Sequence, residues 1–540
     1  MPKQQSHKTD SSNNSKQQTI KKWISRTIFG LGIISILLGI AARFSLWGTS
    51  FEWDEVFTAI TANPAVPFTY IWKHYLIVDV HPPLYNLFLW IYMHIMPYGP
   101  EWALRLPSIL FSLLALGYGW WKFPRCFGRN ARWVYILLFI ANAWVIFFSQ
   151  YARAYAWMLF LSTILTFSFV RISHAVRHKQ SIKNQEWWIF GISSLLLCWS
   201  HYFGAFLFGL LSVALFLQAL LHKCPLKMFI CVPLGVFLLF LPWLIPNLLY
   251  NLQAHRFTGN WWANARGLDK NSIKLLLEFL FGFKETYRML LVILGSALGW
   301  NIWTAVRKKP VAYRRDILWL SCVLLVAFIS IWFVSHKIYW FLGRYFVPFM
   351  PALFLVVALV LAPLIRRTHK ILLLLFLIYV FSGFYAYYME VHVHVRKAEW
   401  WVVREAMEWY QQHFPDKELY VVSIEAFPQE SLEPMYSYYP NVVLKMNTKV
   451  TELFHLPQLQ REMALNRQLG AITWMPNCEL RKLKYLAKKW GVPVAILHRN
   501  FSSCFLVVGA RPGTREAEVF GMYQHRLKTN AKPPDNFVKR

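Results

Sequence analysis

Three carboxylates crowd into four positions of the stretch "FEWDEVFTAI", residues 51–60: Glu52, Asp54 and Glu55. Between residues 20 and 390 there are eleven acids, and five of them, these three with Asp79 and Glu101, lie between residues 48 and 101. Elsewhere the chain is basic, with 57 Lys plus Arg against 26 Asp plus Glu in all. An ionised carboxylate at a membrane boundary is costly unless solvated or paired, so this concentration marks a candidate functional site. A solvated loop with ordinary surface acids is the competing reading. Trp53, Val56, Phe57 and Ile60 are interleaved with the acids, so at least one carboxylate is expected against an apolar surface, as catalytic bases often are.

Further on, "HPPLY" places His81 and Tyr85 on either side of two prolines, which hold an extended or turned backbone and suit the start of a helix. His81 reads either as a ligand partner or as a solvated residue before a turn. Arg105, in "EWALRLPS", reads as a side chain snorkelling to an interface. Cations recur in "SQYARAY" (Arg153, with Tyr155), "SHYFG" (His201, with Tyr202), "SHKIYW" (Lys337) and "GRYFVP" (Arg344, with Tyr345). One anion would account for them together, since guanidinium groups recognise phosphate through paired donors. Singly, each is also an ordinary interfacial anchor. No three-carboxylate or histidine-cluster spacing calls for a metal, and no cofactor is implied. Seven cysteines without a CxxC make no disulfide or metal framework, although Cys478 and Cys504 could pair in an oxidising compartment.

The elements that must position these residues are read from composition and charge. A chain of 540 residues that is 56% hydrophobic and 15% charged is too apolar for a soluble globule and reads as a polytopic α-helical membrane protein. Its net charge of +31 sits in short clusters between apolar segments rather than on one face, which argues against nucleic acid as a partner. About eleven runs are long enough, at roughly 17–25 residues, to cross a bilayer core. They lie near 27–47, 102–121, 132–149, 154–171, 187–200, 202–221, 226–246, 287–305, 316–334, 343–364 and 370–388. With residues 1–25 as a disordered cytoplasmic tail, the alternate loops "KFPRCFGRNAR", "RISHAVRHKQSIKNQ", "HKCPLK", "RKKPVAYRR" and "RRTHK" all fall inside, and all are basic. The segment 81–96 breaks this agreement if counted as a span, and is expected to be an interfacial helix on the outer face.

On this topology the membrane domain is 26–390. Its outer face carries the acidic loop 48–101, a second loop at 247–286, and the ends of spans that bear Arg153, His201, Lys337 and Arg344. Residues 391–540 change character: "ELYVVSIEAF", "GAITWM", "PVAILH" and "SCFLVVGAR" read as strands between polar helices, a soluble α/β domain on the outer side.

The ordered strings "WDEVFTA", "HPPLYNLFLW" and "GPEWALRLPSIL", followed more loosely by "YARAYAWMLFLST", "HYFGAFLF" and "GRYFVPFMPALFL", resemble the membrane-embedded glycosyltransferases of the GT-C superfamily. Within it, the protein O-mannosyltransferase-like and lipid A aminoarabinose transferase-like branches are most similar. The resemblance implies inverting transfer of a sugar from a polyprenyl-phosphate donor to an acceptor on the non-cytoplasmic side, in a bacterial inner membrane. It matches Asp54 to the family's catalytic acid, with Glu55 beside it to tune it or contact the acceptor. It also makes His81, Tyr85, Arg153, Tyr155, His201, Tyr202, Lys337, Arg344 and Tyr345 candidates for binding the donor. The acceptor is left open among a protein, lipid A, another glycolipid and a polymer. Two other classes compete: a flippase or transporter for lipid-linked saccharides, and a catalytically silent assembly subunit. A transporter would more naturally carry its charges near the midplane, and the chain shows no duplicated halves.

Overall fold

The computed structural model describes residues 26–49, 51–77, 79, 81–253, 270–282, 285–307, 313–336, 342–367, 370–395 and 442, with five short strands between 419 and 508. It divides into two compact units. One comprises Met1–Ser45, Val80–Tyr85 and Leu106–Glu390; the other comprises Leu46–Asp79, Asn86–Arg105 and Val391–Arg540.

Each of the eleven apolar runs falls on helix. Six helices are long and apolar enough to cross a membrane: Glu101–Trp121, Tyr155–Arg177, Tyr202–Leu221, Lys227–Gln253, Arg314–Ser335 and Gly343–Pro363. The run 132–149 is not one continuous helix. It breaks at Asn142, which ends Gly128–Ala141 and caps Ala143–Phe148 by accepting the Val145 N–H at 3.0 Å. The helix Lys227–Gln253 runs two turns past its expected end at 246, through Pro242 and Pro246, because prolines are tolerated where a membrane helix has neighbours to cover the freed carbonyls. The expected outer loop 247–286 is correspondingly shorter and contains a further helix, Lys270–Phe281. Leu84–Met93 has ten residues, about 15 Å at helical rise, too short to span a core of about 30 Å.

In the first unit, Arg43 is wholly buried with no acid beside it among the described residues. Its guanidinium donates to Gly39 O (2.8 Å), Phe139 O (3.3 Å), Ile140 O (3.4 Å) and Ser112 Oγ (2.9 Å). Those carbonyls close the C-terminal turns of Arg26–Ala42 and Gly128–Ala141, where the helix dipole favours a cation. Close packing there depends on Gly39, since a Cβ would stand 2.2 Å from Ile140 Cγ1.

The 23-residue helix Tyr155–Arg177, about 35 Å long, separates two polar ends of this unit. At its C-terminal end Arg177 pairs with Asp316, and the Tyr313 hydroxyl donates to Phe127 O at 2.8 Å. Three loops expected on the cytoplasmic side therefore meet there. Arg153 lies before the helix's other end.

In the second unit the five strands, β1 (Leu419–Ser423), β2 (Thr448–Glu452), β3 (Ala471–Pro476), β4 (Val494–Arg499) and β5 (Ser503–Val508), make one mixed sheet ordered β2-β1-β3-β5-β4. β1 is parallel to β2 and β3, whereas β5 is antiparallel to β3 and β4. Four of the strands coincide with the expected segments and β2 is additional. Cys504 stands in β5, and Cys478 is outside the described residues.

Candidate active site

The acids begin a helix. Glu52 caps Trp53–Thr61, and in a reciprocal capping box Glu55 accepts the Glu52 backbone N–H at 3.0 Å. One residue along a helix turns the side chain by about 100°, so Asp54 and Glu55 cannot face the same way. Glu55 is fully buried. Arg105 grips it from the helix Glu101–Trp121, with Nε to Oε1 at 2.9 Å and Nη2 to Oε2 at 2.7 Å. Arg105 Nη1 also donates to Leu46 O (2.5 Å), Thr49 O (2.7 Å) and Thr49 Oγ1 (2.8 Å), and its guanidinium lies over the Phe51 ring. Arg105 is therefore an internal clamp, 2% exposed, and not the snorkelling side chain that its place near a span end suggested. Glu55 is committed to that clamp. Asp54 is half-buried in the first turn of the same helix, where the N-terminal dipole favours a carboxylate.

The loop that holds this helix is braced within its own unit. The Tyr98 hydroxyl donates to Ala59 O at 3.1 Å and Trp90 Nε1 to Val66 O at 3.0 Å. At its end Gly99 has φ +125°, a conformation that favours glycine, and lies against Val442.

The first unit gathers the other candidates. Pro82 and Pro83 are buried, and Leu84 N donates to Trp199 O at 3.0 Å, which ties "HPPLY" to the corner between Asn184–Cys198 and Tyr202–Leu221. The His81 and His201 rings are 5.0 Å apart, and His201 and Tyr345 are 5.7 Å apart. Arg344, half-buried in the 3-10 turn Gly343–Phe349, holds its guanidinium 5.8 Å from the Tyr345 ring centre. Tyr345 stacks on Phe203 at 4.7 Å. Burial holds the His201 ring well below the usual imidazole pKa, and His81, Arg153 and Arg344 add to that effect. His81, Arg153, His201, Arg344 and Tyr345 thus form one neighbourhood.

The remaining candidates go elsewhere. Tyr85 is buried and donates to Ser108 Oγ at 2.8 Å, which in turn donates to Tyr151 O at 2.8 Å. Tyr155 is buried against Phe148, centroids 4.4 Å apart. The Tyr202 hydroxyl turns to Asn247 Oδ1 at 2.5 Å. Lys337 is outside the described residues. Three residues escaped the sequence reading: Arg105 as the partner of Glu55, and Asn247 with Asn251, both buried one turn apart in an apolar helix. Two asparagines four apart in an apolar span were a usable signal. Among the described residues, no group of three or more His, Cys, Asp or Glu could hold a metal ion.

No sequence-family model matches this chain, and no curated protein does. Solved structures do. ArnT from Cupriavidus metallidurans bound to undecaprenyl phosphate superposes with a TM-score of 0.56 at 14% identity, over 89% of this chain and 99% of that one. The same protein in the apo state gives 0.55 at 13%, over 90% and 99%. The arabinofuranosyltransferase AftD from Mycobacteria gives 0.45 at 12%, over 90% of this chain and 40% of that one, too loose a match to argue from. The likeness is one of fold: over nearly its whole described length this chain is folded like ArnT from Cupriavidus metallidurans.

Proposed function

Starting from that ArnT-like fold, we propose that the chain is a GT-C membrane glycosyltransferase, an inverting enzyme that takes a sugar from a polyprenyl-phosphate donor. It passes the sugar to an acceptor hydroxyl or phosphate on the non-cytoplasmic face of a bacterial inner membrane. Asp54 is the general base that removes the acceptor's proton as it attacks the anomeric carbon. The leaving group is a phosphate, already a weak base, so no second carboxylic acid is needed to protonate it, unlike in glycoside hydrolysis. Arg153 and Arg344 hold that phosphate and stabilise the charge that develops on it. The other polar end of the first unit, where basic loops meet, faces the cytoplasm by the positive-inside rule. About eleven spans and a soluble α/β domain at 391–540 complete the proposed architecture.

The observation that carries this reading is the division between two adjacent acids. Glu55 is locked to Arg105 at 2.7 and 2.9 Å, whereas Asp54 leaves the same helical turn in another direction, half-buried. In support, the structure of similar fold was crystallised with undecaprenyl phosphate.

The test is sugar release from a panel of radiolabelled polyprenyl-phosphate sugars by the purified chain in nanodiscs with candidate acceptors, wild type beside Asp54→Asn. Release by wild type and its loss in the variant is the expected result. Undiminished release by the variant removes Asp54 as base. No release from any donor overturns the enzyme reading and favours a flippase or a silent subunit.

A further inference from the structure

His201 does two things at once, and only one of them is explained by the fold. Its ring is 4% exposed at the corner before Tyr202–Leu221. Nδ1 accepts the Phe203 backbone N–H at 3.1 Å and so caps that helix. A ring nitrogen that accepts carries no proton, so the neutral imidazole bears its proton on Nε2. That Nε2 is buried and has no hydrogen-bond partner among the described residues. A buried donor without a partner is unfavourable in a native structure and asks for an explanation.

The surroundings say what would satisfy it. His81 stands 5.0 Å away, centroid to centroid, Tyr345 and Phe203 each 5.7 Å. Arg153 and Arg344 are near enough to act on the ring electrostatically. A donor set among cations and aromatic walls is complementary to an anionic oxygen. A second proton on the ring would meet two arginines and a histidine, so the group suits hydrogen bonding rather than proton delivery.

We propose that His201 is a binding residue for the carrier phosphate of the donor, giving its Nε2–H to a phosphate oxygen while its Nδ1 holds the helix start. This rests on the donor reading above. The ring acts as a neutral donor that fixes the phosphate's orientation beside the arginines. It adds no further positive charge that would hold the spent carrier phosphate after transfer.

Two substitutions separate the two nitrogens. In His201→Asn the side-chain oxygen can still accept the Phe203 N–H, because asparagine is a good cap, but nothing replaces the distal donor. In His201→Gln the amide reaches the distal position and forfeits the cap. Binding of undecaprenyl phosphate to the full chain in nanodiscs is measured for wild type and both variants, with undecaprenol as the phosphate-free control and the thermal midpoint recorded throughout. The expected result is about tenfold weaker binding of the phosphate lipid by His201→Asn, with undecaprenol binding and thermal midpoint unchanged, and recovery toward wild type in His201→Gln. Wild-type affinity in His201→Asn overturns the assignment while leaving the donor reading intact. Equal weakening toward both lipids, or a loss that follows the thermal midpoint and is not recovered by glutamine, also overturns it, since the ring would then serve only the corner. A wild type that binds the phosphate lipid no better than undecaprenol overturns the donor reading, and this assignment with it.

Discussion

The chain treats buried donor groups differently in its two units. In the second unit Arg105 is matched: a bidentate carboxylate, two backbone carbonyls and a hydroxyl take up its donors. In the first unit the buried, neutral His201 keeps its Nε2 without a hydrogen-bond partner among the described residues, with His81, Arg153 and Arg344 about it. The contrast is not forced by the fold, because Arg171 and Arg177 of the same first unit are paired with Glu186 and Asp316. Where basic residues serve architecture, the chain supplies their acid. Where a buried donor is left over, as at His201 Nε2, a ligand oxygen is the proposed complement.

The matched region should break most severely. Removing one member of a buried pair leaves the other uncompensated, at a cost of about 3–5 kcal/mol, whereas replacing both by apolar groups is often tolerated. Arg105→Leu or Glu55→Leu alone should therefore lower the thermal midpoint sharply, and the double substitution should recover a large part of it. If the double variant is as unstable as the sum of the singles, the pair is not a closed unit and the comparison fails on its firmer side.

Next in size is the acid beside the pair. Asp54→Asn should reduce transfer by about 10²–10⁴-fold, the range for loss of a general base, while the thermal midpoint stays within a degree or two of wild type. Similar losses of stability for Asp54→Asn and Glu55→Gln would mean that both acids are structural, and would remove the distinction on which the mechanism depends.

Much of this was legible in the chain, for reasons that differ by element. Long apolar runs declare long apolar helices, because hydrocarbon imposes a length. The acid cluster was visible because it stands out against a basic background. What could not be read was partnership across sequence: Glu55 and Arg105 are fifty positions apart, and no local rule joins them. For the same reason Arg105 looked like a snorkelling anchor. Strand β2, "TKVTE", was missed because its two charges and short apolar content hide a strand whose pairing with β1 is set by the sheet. For Tyr85 the sequence could not show that its hydroxyl pairs with Ser108, because that partner lies 23 positions away.

The neighbourhood of His201 should respond more gently and to ligand rather than to heat. Arg344→Gln and Arg153→Gln should each raise the KM for a polyprenyl-phosphate sugar by about tenfold or more, the scale of one charged hydrogen bond, with smaller changes in thermal midpoint than Arg105→Leu. Arg344→Lys keeps the charge but loses the paired donors, so it should fall between wild type and Arg344→Gln. If donor KM is unmoved by any of the three, the cations are interfacial anchors, and the contrast between the units has a structural origin.

The smallest effect concerns protons. The folded chain holds His201 well below its ordinary pKa, chiefly by burial, while the unfolded chain titrates it near 6.5. Between those values the unfolded state binds more protons, so the stability gained from a neutral His201 is complete above about pH 6.5 and declines as pH falls. Lowering the pH from 7.5 to 5 should therefore reduce the thermal midpoint of wild type more steeply than that of His201→Asn, which has no proton to gain at this site. Parallel curves would mean that the ring titrates in the fold as it does in the unfolded chain, open to solvent. That would place it at the surface, and the neighbourhood would lose its most deeply buried member.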